Sequence, residues 1–468
     1  MRYSKFNLSR RDFVSRACAA TFGLSTAGSS LFKLNTLRAA TQNNLSSLAP
    51  DYKALVCLFQ AGGNDSFNML VPTDDAEYNE YATTRTNLAI RKEELLPLTP
   101  FTNEGRTFGL NPAMSGVQEL FNQGKLALIN NVGTLIQPVT KPAYEDRNVP
   151  LPLGLFSHSD QIAQWQTGQP QARVHHGWGG KLAEMVQAMN SSNEISMNIT
   201  LSGTNVFQFA DKIVEYSVSP SGDGYGIRGY QGDHDFDLAR TALIDGLMYH
   251  DHEDMFKNTY VDIIRNSIEA QESFQQSIAA VPEFTTSFSD NSLARSFEMI
   301  AKIVASHDAL GFKRQIFFVR VGGWDHHDNL LQNQNGMLGG VSDALSQFAS
   351  ALEEIGAFDQ VVTFSMSEFG RTLTSNGDGS DHAWGGNVMV MGGTVKGASL
   401  YGTYPSLILG NPLDIGRGRI IPTLSNDEYF AELALWFGVA PSELSNIFPN
   451  ITNFYSSGST PPIGFLKV

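Results

Sequence analysis

Six short apolar runs, rich in β-branched residues, punctuate this chain and limit what it can fold into. They are ALVCLFQ (54–60), KLALINNV (125–132), EISMNITL (194–201), RQIFFVRV (314–321), QVVTFSM (360–366) and NVMVMGG (387–393). Their hydrophobicity is continuous rather than alternating, which suits strands buried on both faces. Helical patterns occupy spaces between and beside them, notably 179–190, 291–310 and 342–356. Strands alternating with helices predict an α/β fold with a largely parallel central sheet covered on both sides.

In such sheets ligands bind beyond the carboxyl ends of the strands. Polar clusters follow the runs at those places: AGGND after the first, GGWDHHDN after 314–321 and SEFGRT after 360–366, with SNGDGSDHAWGG just before 387–393. Glycine pairs in these clusters let backbone approach a ligand closely. Asp65, Asp325, His327, Glu368 and His382 are therefore the candidate metal ligands. Asp325 and His327 can meet one cation if the loop turns between them, which leaves His326 to point away or serve a second role. Carboxylates mixed with imidazoles suit zinc or manganese better than calcium. One or two ions are expected.

Other clusters carry less. His250 and Asp254 lie one helical turn apart, a spacing that more often decorates a solvated face. His175 and His176 precede a helix and are candidates for the rim. NGDGSD is similar to a calcium loop, but position twelve holds Asn387 in place of glutamate. Arg371 in SEFGRT is a candidate catalytic residue that pairs with an anionic substrate, or else forms a buried ion pair.

The first 40 residues read as a twin-arginine export signal: SRRDF, then ACAATFGLSTAGSSLF, with cleavage expected near LRAA. That segment holds seven basic residues and one acid, so its removal takes the net charge from −15 to −21. So acidic a surface argues against nucleic acid as a partner, and an anionic substrate needs a locally positive site such as a bound cation. Cys18 leaves with the signal, so Cys57 has no intramolecular disulfide partner, in keeping with export of a protein already folded in the cytoplasm. No later apolar run is long enough to span a membrane. Residues 41–468 are expected to form one α/β domain, with a cap or insertion around 217–290.

Taken in order, AGGNDSFNMLVP, SHSDQIAQWQTG, GGWDHHDN, SEFGRT, DEYFAELALWFGVAP and IFPN resemble the exported family known as domain of unknown function 1501. That family is grouped with the alkaline phosphatases and sulfatases. The resemblance implies a three-layer α/β/α sandwich with metals at the carboxyl edge of its sheet. It also implies ligand roles for Asp65, Asp325, His327 and His382, with Glu368 falling near an aspartate–histidine motif. A glutamate beside Phe369 stands where that motif has its pair, so one imidazole is missing. Thr167-Gly168 closes a helix like the one that carries the phosphatase nucleophile. Counting back along it puts His158 at the nucleophile position, with Ser157 just before. Either is a candidate to attack, and Ser157 or Ser159 capping the helix is the alternative. The function expected is metal-dependent hydrolysis of phosphate or sulfate esters, with a small anionic ester or glycan as substrate. A non-catalytic exported binding or assembly protein on the same scaffold is the second expectation.

Overall fold

Each of the six apolar runs contains a strand. They are β1 (Lys53–Ala61), β5 (Leu126–Gly133), β6 (Asn198–Thr200), β8 (Arg314–Gly322), β9 (Val361–Met366) and β10 (Gly386–Met391). The computed structural model describes residues 52–100, 105–221, 230, 232–250, 253–456 and 460–467. The expected export signal and its expected cleavage site, within residues 1–40, lie outside those residues. Strands β2 (Leu70–Pro72), β3 (Leu96–Pro97) and β4 (Phe108–Leu110) form a separate three-stranded antiparallel sheet. Short strands β7 (Tyr216–Ser217), β11 (Leu400–Tyr401) and β12 (Leu424–Ser425) complete a nine-stranded main sheet.

The main sheet runs β11-β5-β10-β9-β1-β8-β6-β7, and β12 also pairs with β5. Its pairings are parallel except where β10 meets β5 and β9. The fold is thus α/β with a large, mostly parallel central sheet. The reversal of β10 has a consequence for the site. Gly386, at its start, lies level with Val132 near the end of β5. Residues just before β10 therefore share an edge with residues just after β1, β8 and β9.

The longer helices are α1 (Asp75–Arg85), α2 (Ser115–Asn122), α3 (His158–Thr167), α4 (Trp178–Val186), α5 (Asp235–Met248), α6 (Met255–Ala279), α7 (Ser292–Ala305), α8 (Leu330–Glu354) and α9 (Asn426–Phe437). Helix α8 begins twelve residues before the pattern at 342–356 predicts. Its first turns, LLQNQNGMLGG, hold three glycines and little apolar character, so propensity gives no signal. Leu330, Gln334, Leu338 and Val341 are nevertheless buried along one face, and packing decides the matter. Helix α9 is bounded by sequence chemistry: a Ser425/Glu428 capping box starts it, and Gly438 at φ 116° ends it.

Main-chain strands β1, β8 and β9 are buried along most of their length. Trp178 of α4 packs 4.5 Å from Phe430 of α9 and 4.8 Å from Phe207, ring centre to ring centre. Such aromatic packing contributes well beyond a methyl contact. Cys57 is buried as a core residue of β1. The chain divides into two compact units; the larger comprises Asp51–Tyr225 and Phe274–Val468, and the smaller includes Gly226–Ser273. Among the described residues no helix is long and apolar enough to cross a membrane.

Candidate metal centre

At the carboxyl edge the loops after β1, β8 and β9 are locked together. Gly62, at φ 130°, has no room for a side chain: a Cβ there would lie 2.5 Å from the Asp325 amide nitrogen. Its own N–H donates to Glu368 Oε1 at 2.7 Å. The glycine in AGGND thus presses the first loop onto the backbone of GGWDHHDN, and this close approach places Asp325.

Four ionisable side chains converge there. His158 Nε2 lies 3.3 Å from Asp325 Oδ2, while His327 Nε2 and His382 Nε2 lie 2.9 and 3.2 Å from Asp325 Oδ1. Ligand atoms of His158, Asp325 and His382 all fall within 4.8 Å of one another. His327 Nε2 and His382 Nε2 are 3.2 Å apart.

The opposite nitrogen of every ring is tied to an oxygen acceptor. His158 Nδ1 meets Glu368 Oε1 at 2.8 Å, His327 Nδ1 meets Asp381 Oδ1 at 3.2 Å, and His382 Nδ1 meets the Phe156 carbonyl at 2.8 Å. Since those oxygens only accept, each Nδ1 carries the proton and donates it. Each Nε2 then presents a lone pair to the carboxylate of Asp325. Acceptors facing acceptors at these distances repel unless a proton or a metal cation lies between them. His158 Nε2 is buried and, despite its 3.3 Å approach to Asp325, makes no aligned hydrogen bond. Imidazoles oriented through their far nitrogens by carboxylates and carbonyls are the arrangement that metal-ligating histidines adopt. The donor set, imidazole nitrogen with carboxylate oxygen, fits a zinc- or manganese-type ion with bonds of ~2.0–2.2 Å.

The surroundings shift several of these groups from their ordinary values. Burial opposes ionisation of Asp325, but the Arg371 hydrogen bond and charge, with His327 and His158 behind them, outweigh it and bring the carboxyl down to about 2. The Glu368 hydrogen bond pushes His158 up, against the opposing effect of burial. Burial pulls His382 below the ordinary histidine range.

Local backbone chemistry positions these side chains. His158 is the first residue of α3, after Ser157 in the N-cap position. Phe156 sits at φ 70°, a left-handed conformation that costs a non-glycine residue about 1–2 kcal/mol. That twist carries its carbonyl to His382. Phe369 stacks on His382 at 4.6 Å and approaches His158 at 4.9 Å, forming an apolar wall to the cluster.

The sequence candidates separate into distinct places. Asp325, His327, His382 and His158 come together. Asp65 is buried in an ion pair with Arg85 of α1, itself held by Asn68 and the Thr372 carbonyl, and does not join the cluster. Glu368 is fully buried, with Oε1 shared by His158 and Gly62, so it touches a cluster residue rather than the cluster's centre. Arg371 is fully buried and spends its donors on Asp325 Oδ1 (2.7 Å), the Ser380 carbonyl (2.7 Å) and longer contacts to Ser380 Oγ and the Gly62 carbonyl (both 3.4 Å). Ser157 Oγ lies 3.1 Å from Ser159 Oγ and caps nothing through its side chain. His326 is buried and tilted toward Trp324. The NGDGSD loop packs as a support: a Cβ on Gly379 would lie 2.3 Å from the His327 backbone.

Sequence reasoning missed Asp381, though it adjoins His382 in the quoted SDHAWGG. It also missed Arg85 and Phe156, neither of which carries a local signal.

The fold and site together define an α/β protein with a histidine–aspartate cluster, a candidate metal site, at the carboxyl edge of its sheet. Among families, the one described as protein of unknown function (DUF1501) matches residues 52–411, and the chain belongs to it. No curated relative matches. Similar solved structures include the PsFucS1 sulfatase from Pseudoalteromonas sp., at 11% identity and TM-score 0.38, covering 93% of this chain and 76% of that one. The C-terminal periplasmic domain of EcEptC from Escherichia coli is similar at 8% identity and TM-score 0.34, covering 87% and 88%. A TAB5 alkaline phosphatase mutant with bound Mg is similar at 10% identity and TM-score 0.27, covering 76% and 95%.

Proposed function

We propose that this protein is an exported, metal-dependent hydrolase of phosphate or sulfate esters, with His158, His327, His382 and Asp325 holding the ion. The observation that carries this reading is the convergence of imidazole Nε2 atoms on one carboxylate, each ring fixed from behind. A divalent cation bound there would neutralise ester oxygens. The residues of the chain do the rest. The first-turn N–H groups of α3 have no partners within the helix and can hold an anion's remaining oxygens. Arg371 fixes Asp325 and keeps it ionised. Glu368 keeps His158 with its proton on Nδ1. Phe369 limits water at the cluster.

A second reading, a binding or assembly protein without turnover, is favoured by one observation. The two hydroxyls that flank His158 along the chain, Ser157 Oγ and Ser159 Oγ, engage each other at 3.1 Å rather than standing free to attack. One experiment separates the two readings. Protein purified from the periplasm is assayed for bound metal and then offered a panel of aryl phosphate, sulfate and phosphonate esters. The hydrolase reading expects about one ion per chain and turnover that a chelator abolishes and zinc or manganese restores. Bound metal with no turnover of any ester supports the binding protein, and the absence of metal sinks both as drawn.

The export route and the cap at 217–290 belong to the same proposal. SRRDF supports the twin-arginine route. Arg10→Lys with Arg11→Lys is expected to retain the protein in the cytoplasm, and normal arrival of that variant in the periplasmic fraction would refute the route.

A further inference from the structure

A built hairpin beside the metal centre presents two arginines. Residues 413–421 close on themselves through Ile421 N to the Leu413 carbonyl (2.8 Å) and Ile415 N to the Arg419 carbonyl (3.0 Å). Buried Asp414 organises the turn: its Oδ1 accepts the N–H groups of Gly416 (2.7 Å) and Gly418 (2.8 Å), and its Oδ2 that of Gly410 (2.7 Å). Gly418 fits against Leu373, where a Cβ would come within 2.4 Å, and its carbonyl accepts from Leu373 N. The hairpin is thereby fastened two residues beyond Arg371.

Each arginine reaches a site histidine through one intermediate. Arg417 Nη2 lies 2.5 Å from Asp381 Oδ2, and Asp381 holds His327. Arg419 lies 5.0 Å over the ring of Phe156, whose carbonyl holds His382. Arg419 is partly buried and also donates to carbonyls of its own hairpin. Arg417 is 53% exposed, and its ion pair with Asp381 engages one edge of the guanidinium.

Steadying Asp381 does not account for an arginine here. Asp381 also accepts from Asn376 Nδ2 at 3.1 Å. Arg417 moreover adopts φ 62°, where glycine or asparagine would be less strained, and it does so in a chain of net charge −15. An exposed guanidinium edge, rigidly mounted beside a cation site, matches an oxyanion through two parallel hydrogen bonds.

We propose that Arg417, supported by Arg419, recognises a second anionic group on the substrate, so that the preferred esters are those whose alcohol carries another negative charge, as multiply sulfated or phosphorylated sugars do. This rests on the ester reading for the first anion. Two non-hydrolysable probes differing by one charge, phenylphosphonate and 4-carboxyphenylphosphonate, test it by calorimetric titration of the zinc-loaded mature protein. Wild type is expected to bind the carboxylated probe about tenfold more tightly, the effect of one charge-assisted contact. Arg417→Gly and Arg417→Asn, both suited to the left-handed backbone, are expected to bring that ratio close to one. Thermal melts confirm that each is folded. A ratio unchanged in both variants overturns the proposal, as does equal binding of the two probes, or no binding of either, in wild type. So does an equal loss of both probes in the variants, the result if Arg417 only steadies Asp381. Failure of every ester in the turnover panel with the charge preference intact sinks the hydrolase reading alone, and turnover without charge preference sinks this inference alone.

Discussion

Asp325→Ala is expected to reduce bound metal to background and abolish any ester turnover. Among the described residues, Asp325 is the side chain that His158, His327, His382 and Arg371 all face. Without its carboxylate, three imidazoles and a fully buried guanidinium share one site with no counter-charge among the cluster residues. The loss reaches beyond binding, because Arg371 is 0% exposed and cannot turn to water. An uncompensated buried charge costs about 3–5 kcal/mol, and the partial exposure of Asp325 reduces this to about 2 kcal/mol. Elemental analysis and urea unfolding are the measurements. Asp325→Asn keeps the shape and a hydrogen bond to Arg371, so it should recover much of the stability but little of the metal. Metal at wild-type stoichiometry in the alanine variant would sink the centre described here.

Asp65→Ala should do the opposite, with a large loss of stability and a metal centre that still binds. Asp65 and Arg85 are 1% and 0% exposed and face each other as a buried ion pair. Removing one partner leaves the other charged in a dry interior, which costs about 3–5 kcal/mol. The guanidinium keeps neutral acceptors in Asn68 Oδ1 and the Thr372 carbonyl, so the lower part of that range is expected. Urea unfolding should show a lower midpoint with an unchanged slope. Loss of bound metal at unchanged stability would return Asp65 to the ligands and move the centre toward β1.

These two aspartates show where local sequence stops being informative. Both follow a buried strand and sit beside paired glycines, AGGND in one case and GGWD in the other. Nothing within ten residues of either says which faces the cluster. Arg85, twenty residues from Asp65 on α1, claims one; Arg371, forty-six residues from Asp325, orients the other. Glu368 illustrates the same limit. Its place after β9 puts it at the correct edge, yet its carboxylate turns to Gly62 and His158. The glycine that permits this is legible as a glycine, but the contact it permits is not.

The strands were readable because burial on both faces leaves a continuous apolar run, a signal contained within seven or eight residues. The edge of the site was readable for the same reason, since a parallel strand that ends must deliver its next residues to the carboxyl side. One strand's direction was not legible: NVMVMGG runs antiparallel to both its neighbours, and its hydrophobicity is the same in either direction. That reversal brings His382, which precedes β10, to the edge where Asp325 and His327 follow β8.

By itself the sequence determined the α/β class, the strands and the short list of polar residues at their ends, because backbone propensity and burial act over single turns and runs. Only the tertiary structure decided which of those residues meet. It set which nitrogen of each imidazole turns inward, which carboxylate pairs with a buried arginine, and which arginines stand on the hairpin beside the centre. Those outcomes depend on contacts between segments tens to hundreds of residues apart. Electrostatics at 3 Å is decided by where side chains are placed, and no local pattern encodes that placement.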